Sequence, residues 1–183
     1  AYVLGFFIPV LVMTAVFAFD GIAPFDPLTI FNSDLANLYV SYLAHYRDMV
    51  LGGLGVFWSW NIGMGYNMYS YFVDNTSSPL NLLLLLFPEN CLSEAVLCIQ
   101  LIRIGLMGLA ATWFIRKHGS SANDAVLLGC AYALSGYTVC YLQHVMWMDS
   151  LVLLPVVVYA TEHMAASRKV IDLPFVGALV AVL

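Results

Sequence analysis

"LSEAVLCIQLIRIGLMGLAATWFI", residues 92–115, is followed at once by Arg116 and Lys117, and its reading decides what kind of protein this is. At 1.5 Å per helical residue such a run extends about 36 Å, enough to cross a hydrocarbon core roughly 30 Å thick. Only Glu94 and Arg103 carry charge inside it. The whole chain agrees with this stretch: 62% of its residues are hydrophobic, 9% are charged, and its mean hydropathy is +0.89. Soluble domains carry about 25% charged residues. The composition is that of an integral membrane protein. The net charge of −5 offers no basic surface for nucleic acid, and in a membrane protein the placement of charges says more than their sum.

Further apolar runs cover residues 1–19, 125–142 and 151–166. Residues 173–183 form a shorter run, read as the start of a truncated fifth span. The expectation is an all-α, polytopic transmembrane helix bundle, with residues 1–183 forming the N-terminal part of a single, larger transmembrane domain. A cleaved leader is the competing reading of residues 1–19, but no small-x-small cleavage site follows. Arg116 and Lys117 follow the second span, and Arg168 and Lys169 the fourth, so the positive-inside rule places both loops in the cytoplasm. Residues 20–91 and 143–150 then share the outer face. There Asp20, Asp26, Asp34, Asp48, Asp74 and Glu89 outnumber Arg47.

An outer loop of about seventy residues is far longer than the usual connection of 4–6. Ser33 or Asp34 is placed to cap a helix reaching Val50, with Leu35, Leu38, Tyr39, Tyr42, Leu43, Tyr46 and Met49 on one face and Asn37, Ser41, His45 and Asp48 on the other. Tyrosines at headgroup level suit an interfacial helix. Five glycines then break "GGLGVFWSWNIGMGYN", residues 52–67, where Trp58 and Trp60 suit a membrane interface or a stacking surface. "SSPLNLLLLLFPEN", residues 77–90, is too short to span, so it should dip into the outer leaflet or pack on the bundle.

Several polar residues are candidates for chemistry. Asp34 is either a helix cap or, close to lipid headgroups, a general base or a ligand to a phosphate-neutralising metal. In "QHVMWMDS", residues 143–150, His144, Trp147 and Asp149 form either a functional cluster or a turn, with Trp147 in an aromatic belt and Asp149 capping the fourth helix. Arg103 stands about 16 Å into its span. A guanidinium at that depth should face the protein interior, pairing with a carboxylate or holding a phosphate bidentately. Glu162 reads as an interfacial carboxylate near the inner cations. Cys91, Cys98, Cys130 and Cys140 have no metal spacing and read as small membrane-buried side chains. No phosphate-binding loop, HExxH, GxSxG or EF-hand pattern is present, which argues against an ATP-driven pump half, a zinc protease or a serine hydrolase.

Taken in order, "NSDLANLYVSYLAHYRDMVLGG", "FWSWNIGMGYNMYSYF", "SSPLNLLLLLFPEN", "LIRIGLMGLAATWFIRK", "AYALSGY" and "QHVMWMDSLVLLPVVVYATEHM" closely resemble the N-terminal region of the bacterial YfhO-like membrane proteins. The resemblance covers nearly the whole chain. It implies a glycosyltransferase of the multi-spanning GT-C class in the bacterial cytoplasmic membrane. Such an enzyme takes a sugar from a polyprenyl-phosphate carrier to an extracytoplasmic envelope acceptor such as lipoteichoic acid. It also implies a catalytic acid in the first outer loop, making Asp34 the leading candidate and Asp20 the alternative. His144, Trp147 and Asp149 would face the same cavity, and Arg103 would stand where relatives carry a lysine. A divalent cation is compatible with this chemistry, but a single aspartate is no metal signature. The competing classes are a transporter or lipid flippase, which would also use an intramembrane charge and glycine-broken segments, and a non-catalytic assembly subunit.

Overall fold

The computed structural model describes residues 1–22, 24, 28–53, 55, 57–60, 63–167 and 177, and among these every extended element is helical. The α-helices are α1 (Tyr2–Phe19), α2 (Val40–Val50), α3 (Met68–Tyr71), α4 (Leu92–Lys117), α5 (Ala122–Ala133), α6 (Gly136–Cys140) and α7 (Val145–Ser167). π-helical turns occupy Leu35–Tyr39 and Phe72–Thr76, and a 3-10 helix runs from Pro79 to Leu86. Two compact units divide the chain: Ala1–Val16, Leu101–Tyr141 and the chain from Trp147 onward form one, and Phe17–Gln100 with Leu142–Met146 form the other.

In the first unit, α4 is the enclosed helix, while α1 and α7 keep most of their surface outward. These are the three described helices long and apolar enough to cross a membrane. Small residues let α1 approach α4 closely, since a Cβ at Gly108 would run into the Gly5 carbonyl and one at Gly5 into Thr112. Gly5 lies against Gly108 and Thr112, while Pro9 lies against Gly108 and Phe6 against Gly105. Rising numbers in α1 thus meet falling numbers in α4, and the two helices are antiparallel. α7 behaves oppositely. Arg103 pairs with Asp149, Trp113 packs on Tyr159 and His118 meets Glu162, so residue numbers rise together and α7 runs parallel to α4. These relative directions are the ones to which the loop charges lead.

Two spans differ from their sequence reading. The run 125–142 is not one helix: α5 ends at Ala133, and Ser135 accepts a hydrogen bond from the Thr138 N–H to begin α6. A serine that caps a new turn competes with helix continuation, and hydropathy does not register that. The fourth span starts at Val145 rather than Leu151. Most of "QHVMWMDS" is therefore helix, and Asp149 stands inside α7 instead of capping it. The fifth run at 173–183, with Arg168, Lys169 and Asp26, lies outside the described residues, apart from the helical Gly177.

The second unit contains the segment that the sequence reading assigns to the outer loop. On α2 and the turn before it, Leu35, Tyr39, Tyr42, Leu43 and Tyr46 are buried, which follows the apolar stripe; Leu38 is exposed. His45, assigned to the polar face, is buried as well. The segment after Ser78 neither spans nor forms an α-helix, since Pro79 opens eight residues of 3-10 helix with Leu84 and Asn81 inward. The Asn81 side-chain amide donates to the Thr76 carbonyl at 3.1 Å and fixes that turn.

Candidate functional site

Asp34 opens the π-helical turn, and it is exposed. Its side chain makes no capping hydrogen bond. Ser33 before it adopts φ 45°, the one positive φ among the described non-glycine residues. Left-handed backbone at a non-glycine residue costs roughly 1–3 kcal/mol and clusters at functional sites, as π-helical turns do. Asp20 is also exposed, in the turn after α1.

One π turn beyond Asp34, Tyr39 reaches His144. The phenol oxygen lies 3.2 Å from the imidazole Nδ1, and the rings meet edge to face at 5.9 Å. Gln100 on α4 holds the same short connection by donating to the Leu142 carbonyl. His144 is thereby positioned by two helices of its unit.

The other unit holds Arg103 and Asp149. Arg103 is almost fully buried and donates from Nε to Oδ1 at 2.9 Å and from Nη2 to Oδ2 at 3.0 Å, a bidentate ion pair. Asp149 keeps 24% of its side chain accessible. Sequence reasoning placed a carboxylate partner among the options for Arg103; the partner is the candidate four residues past Val145, because α7 starts early enough to present it to α4. Trp147 is exposed on the first turn of α7, with its ring 5.8 Å from that of Tyr141.

Sequence reasoning missed a second feature of the unit that holds Asp34. Tyr42, His45, Tyr46 and Met49 of α2 face Met68, Tyr71, Phe72 and Thr76 across a cavity with room for about one water molecule. His45 Nε2 is buried there without a hydrogen-bond partner. Burial lowers the His45 pKa, which Asp48 partly opposes, so the neutral imidazole is favoured. Burial and a hydrogen bond to Tyr71 raise the pKa of Tyr42. The signal was available in part, since His45 sits three residues after Tyr42, within reach of its stripe.

Among the described residues no group of three or more His, Cys, Asp and Glu side chains is gathered to hold a metal ion. A family model described as "Bacterial membrane protein YfhO" matches residues 5–182. No curated protein and no solved structure matches the chain.

Proposed function

We propose that this chain, which belongs to the YfhO family of bacterial membrane proteins, is part of a GT-C-type glycosyltransferase. It would move a sugar from a polyprenyl-phosphate carrier to an extracytoplasmic envelope acceptor such as lipoteichoic acid. The observation that carries the reading is the state of Asp34: an exposed carboxylate, relieved of any capping bond, between a strained serine and a π-helical turn. A carboxylate with no structural duty is available as a general base.

In this reading Asp34 takes the proton from the acceptor hydroxyl as that oxygen attacks the anomeric carbon, and the carrier phosphate leaves from the opposite face with inversion. Asp20 is the alternative base. His144, oriented by Tyr39, contributes a hydrogen bond to substrate, and Trp147 offers an exposed ring for a sugar or lipid face. Arg103 is held by Asp149 in a bidentate ion pair and so is no lone cation, while Asp149 keeps an accessible carboxylate edge as a candidate binding group. A divalent cation is compatible with the departing phosphate.

The test is genetic. With the gene deleted from its host, wild type should restore sugar on envelope polymers, measured by mass spectrometry, and Asp34→Asn at equal membrane abundance should not. If Asp34→Asn restores the sugar fully, the base lies elsewhere. If deletion changes no sugar, the transporter, flippase or assembly-subunit reading replaces this one.

A further inference from the structure

Residues 49–73 contain no Asp, Glu, Lys, Arg or His, yet the same stretch holds two of the four tryptophans in the chain. A water-facing loop of that length normally carries charge. Within it, residues 57–60 and 63–69 form a short antiparallel ribbon: Ser59 and Tyr66 exchange backbone hydrogen bonds at 3.0 and 2.9 Å, and the Met68 N–H donates to the Phe57 carbonyl at 3.1 Å. Trp58 and Trp60 pack edge to face with centroids 5.4 Å apart. Gly65, at φ +103°, lets them do so, because a Cβ there would stand 2.7–2.8 Å from both indoles.

The ribbon is apolar and outward. Trp60 is 75% exposed and Met64 97%, and Phe57, Trp58, Tyr66 and Tyr69 are also exposed. At its end, the Asn67 carbonyl oxygen Oδ1 accepts from the Tyr69 N–H, and the Ser70 hydroxyl donates to the Asn67 backbone carbonyl. A glycan surface sets acidic or other strongly polar side chains beside its rings to satisfy sugar hydroxyls, and residues 49–73 carry no charged group. The lipid interface asks for what is present, amphipathic indoles and phenols around an apolar tip. A bilayer is also at hand, since α1, α4 and α7 are long and apolar enough to cross one.

We infer that the ribbon formed by residues 57–60 and 63–69 is a second kind of membrane contact, a monotopic anchor whose Trp58, Trp60 and Met64 seat in the interfacial layer of the bilayer. It would hold the outer-loop unit against the lipid surface, independently of whether that unit transfers sugar. Rigid packing of the two indoles over Gly65 reduces the side-chain entropy lost on insertion.

The test uses the intact protein in phosphatidylcholine vesicles, with every tryptophan except Trp58 and Trp60 replaced by phenylalanine. Lipids brominated near the headgroup end of the acyl chain should quench the emission more than lipids brominated near the methyl end, and aqueous iodide should quench little. Quenching by iodide without bromine would overturn the anchor in favour of a water-facing surface. Quenching by neither would overturn it in favour of a face covered by protein. Should the phenylalanine background fail to fold, a photoactivatable benzophenone residue at position 64 of the otherwise native protein gives a separate reading. Crosslinks to phospholipid support the anchor, and crosslinks to protein or polymer contradict it.

Discussion

Arg103 and Asp149 show how much a single position can decide. The guanidinium is buried within a helix of spanning length and is matched by two hydrogen bonds to one carboxylate. Removing either partner takes from the other its bidentate ion pair, which costs about 3–5 kcal/mol for a buried pair, whereas exchanging both for apolar residues of similar size is much milder. Arg103→Met and Asp149→Leu are each expected to lower the unfolding midpoint of the purified protein sharply, and the double variant to recover most of the loss. Additive losses would mean that the two residues act separately. A charge in the middle of "QLIRIGL" was legible as a buried group, because hydrocarbon tolerates it in few other ways. Its partner was not legible, since that depended on α7 beginning at Val145. His45 was hidden for a related reason: a two-faced helical reading has no place for a polar residue buried by a third element, and Phe72–Thr76 comes from elsewhere in the loop.

At the scale of elements, α4 is joined to α7 along its length, and one tie titrates. His118, just past the end of α4, has Nδ1 2.9 Å from the Phe114 carbonyl and Nε2 2.8 Å from Glu162. The backbone carbonyl first and Glu162 second raise its pKa, because both partners favour the doubly protonated ring. A raised folded-state value means that the contribution is complete below the unfolded value near 6.5 and vanishes as pH climbs through the higher folded value. His118→Gln should therefore lower thermal stability more at pH 6 than at pH 9; an equal effect at both would show that the charge plays no part. The contact between α1 and α4 is steric instead. Gly108→Val places methyl groups against the Gly5 carbonyl and is expected to cost about 1–3 kcal/mol, read as a lower unfolding midpoint in bicelles. An unchanged midpoint would mean that the helices do not approach through Gly5 and Gly108. The glycines were visible in the sequence, but which helix each one meets was not. Hydropathy likewise revealed α1 and α4 well, and failed at 125–142 because Ser135 restarts the helix, a local hydrogen-bonding event that averaged apolarity does not report.

On the scale of the whole molecule, two descriptions meet. One unit is built from apolar helices, with α4 and α7 parallel and α1 opposed to them. The other is an aromatic, glycine-broken segment with two π-helical turns, one opened by Asp34 and the other lining the cavity at His45. Sequence alone reached the membrane class because it is written in composition. It did not reach the π-helical turns or the ribbon, which arise from how neighbouring residues share hydrogen bonds rather than from any periodic pattern. The role proposed for Asp34 is that of the base in a sugar transfer. It is tested most directly by reconstituting the intact protein in vesicles with a polyprenyl-phosphate-linked sugar and a lipid-anchored envelope polymer, and following the appearance of glycosylated polymer. Wild type should produce it, while Asp34→Asn, equally folded and equally incorporated, should be slower by about 10²- to 10⁴-fold, the usual worth of a general base. Equal rates from the two proteins would contradict the role given to Asp34, and no transfer by wild type would contradict the glycosyltransferase itself.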